Sequence, residues 1–440
     1  MEARTIRRSL VTVAVGLAMG SAGVASATNG YFAHGYGTKA KGMGGVGMAI
    51  SQDSYAAGIN PAGIAGMETR IDGSIAYFRP ERSYTAGEAD LPADPADMPD
   101  GAFPLAPGEV DSDSKNFFIP SFGFVQQIDR DRSWGIALLG NGGMNTDYPA
   151  FDNPMCPDGT LGTGPFCDGS AGVDLEQLAI IPTYAQKFAD GRVSVGFSPI
   201  ISYQRFSAEG ISTFGEMSTD PENMSSGDTD TTWGYGAQIG FQAEVADGVS
   251  IGGSYRSKIR NGEFDDYAGL FADEGSFDIP STWGMGIAVD VTPSVMVSAD
   301  YVRINYSDVD AISNPGSNLF LEDGEFGGPN GAGFGWDDIN VFKIGAQFEL
   351  QDNWTVRVGY NRGDNPIGSD DVTMNILAPG VMEHHFTAGF TKEFGPHELN
   401  FAAMYAPSNS VSGTNAFDPD QDIEIEMKQY ELEIGYAYRF

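Results

Sequence analysis

The chain has 440 residues and a formal net charge of −36, from 60 acidic against 24 basic residues. That balance excludes nucleic acid as a natural partner, because phosphate binding needs a basic footprint. With 59 glycines, 12% aromatics and only 19% charged residues, the mixture favours strands and tight turns, and nowhere past the N-terminus is there the run of about eighteen apolar residues that a membrane-spanning helix needs.

Residues 1–27 read as a secretory signal peptide: Arg4, Arg7 and Arg8 precede an apolar run from Leu10 to Met19, and Ala25-Ser26-Ala27 supplies a cleavage site. The apolar run, roughly ten residues, is too short to cross a bilayer. The mature chain is expected to begin near Thr28.

Residues 28–69 show neither helical nor strand periodicity. They are rich in glycine yet carry Met43, Val46, Met48, Ile50, Ile59 and Ile64, too many apolar groups for a solvated tail. A compact, irregular segment ahead of one long set of strands suggests an N-terminal plug, or hatch, inside a barrel.

From residue 70 to 440 strand-like runs alternate with two kinds of connection. Short ones, such as Ala189-Asp190-Gly191 and Gln351-Asp352-Asn353, take turns with long ones rich in Asp, Gly, Pro and Ser. Six short turns between seven long loops give a fourteen-stranded antiparallel transmembrane β-barrel, all-β in class, with short periplasmic turns and long outer loops. The seventh strand is expected over 249–264, the eighth over 276–291, and the last two over 397–410 and 423–440, separated by a long loop. In Trp233 to Val245 one parity is apolar throughout and the other is Gly, Gln and Glu; Trp283 to Val291 and Trp354 to Tyr360 repeat this. The apolar parity carries Trp or Tyr near strand ends, where an aromatic girdle would sit against lipid. The last strand puts Tyr430, Leu432, Ile434, Tyr436, Tyr438 and Phe440 on one face and Glu431, Glu433 and Arg439 on the other.

Cys156 and Cys167 fall in one Pro/Gly/Asp-rich loop of an exported chain, where a disulfide is the natural state. Closing so short a loop stabilises it by about 2–3 kcal/mol in the chain-entropy model. No metal site is expected there, since two thiolates fall short of four ligands. Gly42-x-Gly44-x-x-Gly47 has dinucleotide-binding spacing but lacks the surrounding βαβ unit, so no cofactor is expected and its glycines are assigned to sharp turns against the wall. His34, His384, His385 and His397 are scattered, and no nucleophile–base set can be assembled; the chain does not read as an enzyme. The acidic loops are either solvated surface or bridged by divalent cations.

Arg256, Lys258, Lys343 and Arg357 lie at inward parity. They either meet the carboxylate of an amphiphilic ligand, whose site needs an apolar slot and one or two cations, or balance lumenal Glu244, Asp290, Asp300 and Glu349. At Gly140-Asn141-Gly142-Gly143 the third strand loses its alternation, which marks a bulge or kink. It is either a strand end at the rim or a gap through which an apolar solute leaves sideways.

Several motifs carry a family likeness. They are Gly42, Gly44 and Gly47 leading to Asn60-Pro61-Ala62-Gly63, then Asp174-Leu175-Glu176-Gln177 with Pro182-Thr183-Tyr184, Ile279-Pro280 with Trp283, and Trp336-Asp337-Asp338 with Lys343. On these, and over the whole mature chain, the sequence resembles the FadL/TodX family of outer-membrane channels for long-chain fatty acids and hydrocarbons. Where family members often carry Pro-x-Gly at the kink, this chain has Asn141-Gly142-Gly143. The resemblance implies loop capture, an internal site, plug rearrangement and lateral exit at the third strand. The expected ligand path runs from Phe206, Ile211, Phe214, Phe264, Leu270 and Phe271, near the third and fourth outer loops, to the lumen beside Ile59, Asn60, Pro61 and Ala62. The expected partners are a long-chain fatty acid or other hydrophobic small molecule, with outer-membrane lipid and lipopolysaccharide around a monomer. A hydrocarbon channel and a surface adhesin with acidic loops are the alternatives.

Overall fold

The computed structural model describes residues 28–89, 103–156 and 162–440; the expected signal peptide lies outside them. Fourteen strands form the wall: β1 Arg70–Ala86, β2 Phe117–Gln127, β3 Arg132–Tyr148, β4 Ala171–Phe188, β5 Val193–Glu209, β6 Asp230–Ala246, β7 Val249–Arg256, β8 Thr282–Thr292, β9 Val295–Ile304, β10 Ile339–Leu350, β11 Trp354–Gly363, β12 His384–Phe394, β13 His397–Asn415 and β14 Asp418–Arg439. Each pairs antiparallel with its neighbour, and β14 pairs with β1 to close the barrel. The amide of Phe440 donates to the carbonyl of Thr69, so an even strand number brings both barrel ends to one rim.

Closure follows from alternation. On β6 the lipid-side parity leaves Tyr235 67% and Ile239 52% exposed, while Gln238 between them is buried. A sheet whose oily face points outward has no stable place except hydrocarbon, and in hydrocarbon only a closed ladder satisfies every backbone group. Four of the short turns are made by residues in the left-handed region, including Asp190, Gly248, Asp352 and Gly395.

Three expectations about the wall need correction. The seventh strand ends at Arg256 instead of reaching 264, and only Arg260–Asn261 resumes pairing with β6. The eighth begins at Thr282, because Phe277 to Ser281 are drawn into the outer loops, where Ile279 pairs with Ile259. The seventh long loop is absent: β13 and β14 continue as one hairpin joined by Ala416 and Phe417. Polar Ser and Asn residues there suggested a loop, but Ile423, Ile425 and Met427 bury one face of the hairpin under its neighbours, and the Ser412 hydroxyl donates to Glu424 on the other.

The segment from Thr28 occupies the lumen. It contains one helical turn, α1 Thr38–Lys41, and two 3-10 turns, Ser54–Gly58 and Pro61–Ile64. Asp53 and Asn60 start the latter two by accepting the amides of Tyr55 and Ala62, with Pro61 where a missing N–H costs nothing. The backbone rests directly on wall glycines: a Cβ at Gly196 would come within 2.2 Å of Pro61, and one at Gly240 within 2.1 Å of Asn60.

Candidate functional site

Beneath the outer loops lies a cavity of about 70 Å³. Phe206 from β5, Ile211 and Phe214 from the β5–β6 loop, and Leu270 and Phe271 from the β7–β8 loop line it. Phe206 and Phe271 have ring centroids 4.7 Å apart. Phe264 does not line the cavity; it is fully buried behind, 5.6 Å from Phe206. The opposite side, not foreseen from the sequence, is made by Phe326 and Phe334 of the β9–β10 loop, Met374 and Leu377 of the β11–β12 loop, and Phe417 at the hairpin tip. Isolated phenylalanines inside glycine-rich stretches were the available signal. Cys156 and Cys167 are joined, with Cα atoms 5.6 Å apart, and this places Phe166 against Phe214. No charged side chain lines the cavity among the described residues.

A second cavity, also of about 70 Å³, lies deeper, between the plug and β6–β10. Phe32, Tyr36, Met48 and Ile59 of the plug face Arg256 and Lys343 across it. Arg256 donates to the Gly58 carbonyl at 2.6 Å and to the side chains of Asn141 and Gln238. Lys343 donates to the carbonyls of His34 and Gly45. Arg357 donates to Gln52, Gln347 and Thr391. Lys258 lies beyond the end of β7 and pairs with Asp278 at 3.0 Å. Among the described residues none of the four makes a close ion pair with Glu244, Asp290, Asp300 or Glu349, although Lys343 stands directly opposite Asp300 in the β9–β10 register; the Asp300 carboxylate accepts the amides of Gly47 and Met48. Arg256 and Lys343 are ties to the plug backbone.

The ion pairs that hold the plug were not foreseen. Lys39 meets Glu398 at 2.6 Å, and Lys41 meets Glu431 and Glu433 at 2.7 and 2.8 Å, all nearly shielded from solvent. Burial opposes the Lys41 charge, but the two glutamates outweigh it and hold the ammonium above its ordinary range. Arg70 joins the cluster through Asp72 and Glu398. At β6 Asn60 makes the contact: its amide donates to the carbonyl of Phe241 on the wall and to that of Met48 within the plug. His34, buried and close to Lys41 and Lys343, is held well below its ordinary pKa and is neutral; its ring lies 6.2 Å from that of His385.

The wall is interrupted beside β3. Pairing of β2 with β3 runs only from Gln127–Ser133 to Phe122–Leu138. Beyond it the two strands continue without each other, and Pro120 on this stretch has no N–H to offer. The register of β3 against β4 shifts between Gly140 and Gly142, so Asn141 and Gly142 both oppose Gln177, a β-bulge. The plug covers the interruption from inside: the Gly143 amide donates to Tyr31, and a Cβ on Gly142 would lie 2.1 Å from the Tyr31 carbonyl oxygen. At the outer end Arg82 of β1 donates to the carbonyls of Ser114 and Asn145, one on each side of the break.

A fourteen-stranded barrel with an oily exterior, a filled lumen and an apolar cavity under its loops defines an outer-membrane channel for hydrophobic solutes. Residues 24–440 match the family model described as outer membrane protein transport protein (OMPP1/FadL/TodX), and the chain belongs to that family. The family is one of transport channels and not of enzymes. Among solved structures, the Pseudomonas putida toluene transporter TodX is similar at TM-score 0.67 and 17% identity, with 94% of this chain and 100% of that one covered. The Ralstonia pickettii toluene transporter TbuX gives 0.62 and 18%, over 92% and 99%. A Pseudomonas aeruginosa FadL homologue gives 0.65 and 14%, over 93% and 100%. These likenesses speak for the fold. No curated sequence matches the chain.

Proposed function

We infer that the protein takes up amphiphilic hydrophobic molecules passively, long-chain fatty acids above all. Solute caught among the outer aromatic rings passes to the deeper cavity, and the plug then yields at β3, where the solute leaves sideways into the bilayer. The observation that carries this is the deeper cavity. It sets Arg256, a buried cation without a carboxylate partner among the described residues, and beside it half-buried Lys343, which faces Asp300 across β9–β10, against apolar walls of Phe32, Met48 and Ile59. A buried cation bonded only to neutral groups favours an incoming anion, and the rest of that anion would lie on apolar surface. Transfer of the tail into lipid is favourable by about 0.8 kcal/mol per CH₂, so no energy source is required.

Proteoliposomes holding the full chain should take up labelled oleate faster than protein-free vesicles, and R256M together with K343M should abolish the gain. Equal oleate uptake by the double variant would refute the carboxylate assignment. A second reading, uptake of neutral aromatic hydrocarbons, is favoured by the outer cavity, which is apolar but for Thr373; it expects labelled toluene to enter and the double variant to leave that flux unchanged.

A further inference from the structure

We propose that Phe277 and two wall glutamines, Gln204 and Gln177, couple the outer aromatic cavity to the bulge in β3, so that filling the one loosens the other. This rests on the transport route just described and adds the link between its two ends.

Phe277 is fully buried in the loop between β7 and β8. Its ring lies 4.8 Å from that of Phe271, which lines the outer cavity, and 6.4 Å from that of Tyr31 in the plug. Its carbonyl accepts Nε2 of Gln204 at 2.9 Å. Oε1 of Gln204 accepts Nε2 of Gln177 at 2.7 Å, and Oε1 of Gln177 accepts Nδ2 of Asn141 at 3.0 Å. Oδ1 of Asn141 in turn accepts the Tyr36 hydroxyl and Nη1 of Arg256, both at 3.0 Å. One unbroken line therefore runs from a cavity ring to the extra residue of the bulge, and there it meets both the plug and the cation that holds Gly58.

Folding alone does not call for these amides. The same inward faces of β4 and β5 carry Ala179, Ile181 and Ile200, all buried, so apolar side chains suit these positions. Burying two glutamines at 0% exposure is costly unless every polar atom is met. Here the bonds are directional, each amide passing on the orientation of the one before. Ala179 or Ile200 could transmit only pressure. The outer cavity of about 70 Å³ is smaller than the roughly 150 Å³ that accommodates benzene. A solute can enter only by displacing rings, and Phe271 is the ring that bears on Phe277. The other end is a bulge, whose two residues facing one partner give it an alternative register to adopt. Coupling needs such a two-state element.

Hydrogen exchange on the full chain in nanodiscs tests this, with naphthalene as the probe and its fluorescence reporting binding. In the wild type, naphthalene should speed exchange of the amides of residues 31–33 and 140–145 severalfold. In Q204L and, separately, F277L, naphthalene should still bind while those amides keep their unliganded rates. Binding with the same acceleration in both variants would overturn the coupling, as would binding to the wild type without any acceleration; either result leaves the transport reading standing. Failure of naphthalene to bind the wild type at all would remove the outer cavity as a ligand site and the proposal with it.

Discussion

The plug is held differently on two sides of the barrel. Against β13 and β14 it is fastened by buried ion pairs, Lys39 with Glu398 and Lys41 with Glu431 and Glu433, on strands paired along nearly their whole length. Against β3 it is held by neutral hydrogen bonds to a bulged strand that has lost half of its pairing with β2. Removing one partner of a buried ion pair leaves a charge stranded in low dielectric, whereas a neutral backbone bond contributes only about 1 kcal/mol net. The plug is thus fastened more strongly on the β13–β14 side than on the β3 side.

The strongest way to break that contrast is Lys41→Met. It strands Glu431 and Glu433 and should cost about 3–5 kcal/mol, seen as a lower thermal midpoint of the purified full chain. Adding Glu431→Gln and Glu433→Gln should recover most of the loss. Asn60→Ala, which removes one bond to the wall, one within the plug and a cap, should cost about 2 kcal/mol and raise the ionic leak in planar bilayers; a silent variant would mean that Asn60 does not seat the plug. Deleting Asn141 should restore a continuous register opposite Gln177. Stability should fall by about 1–3 kcal/mol, because Gln177, Tyr36 and Arg256 lose their shared partner, while oleate uptake by the folded protein should fall by about tenfold, equivalent to roughly 1.4 kcal/mol in the barrier; undiminished uptake would move the exit elsewhere.

The smallest effect concerns acidity on the anchored side. Burial, and then the neighbouring Asp72, push the Asp53 carboxyl up to about 7, with Lys39 and Arg70 opposing. The folded state therefore keeps a proton that the unfolded chain releases near its ordinary value of about 4. Stability from this group is present at low pH and declines as pH rises between about 4 and 7. Asp53→Asn should flatten that slope in thermal midpoints measured across the window while keeping the cap to Tyr55.

Much of the architecture was legible because a barrel in lipid obeys a period of two, and Trp233 to Val245 or Tyr430 to Phe440 display it without interruption. The seventh outer connection was misread because Ser412, Gly413, Thr414 and Asn415 look like loop residues; only Glu424 across the hairpin, which accepts the Ser412 hydroxyl, explains that stretch as a solvated strand face. Inward cations were likewise identifiable by parity, but their partners were not. Lys343 bonds to carbonyls about 300 residues away in sequence, and no local pattern encodes which backbone oxygen comes to rest there. Lys39 and Lys41 escaped notice for the same reason, since their glutamates lie at the other end of the chain. Half of the aromatic cavity was found in the third and fourth loops; the rest came from loops whose phenylalanines are scattered among glycines.

Sequence by itself determined the export signal pattern, the strand alternation and the irregular glycine-rich start, because each is a local property of composition and spacing. Tertiary structure alone decided that Asn141 meets Gln177, Tyr36 and Arg256, that Arg256 and Lys343 bind the plug's carbonyls, and that several outer loops share one cavity. Those are contacts across a closed cylinder, and they exist only once the ladder has joined β14 to β1 and brought distant strands face to face.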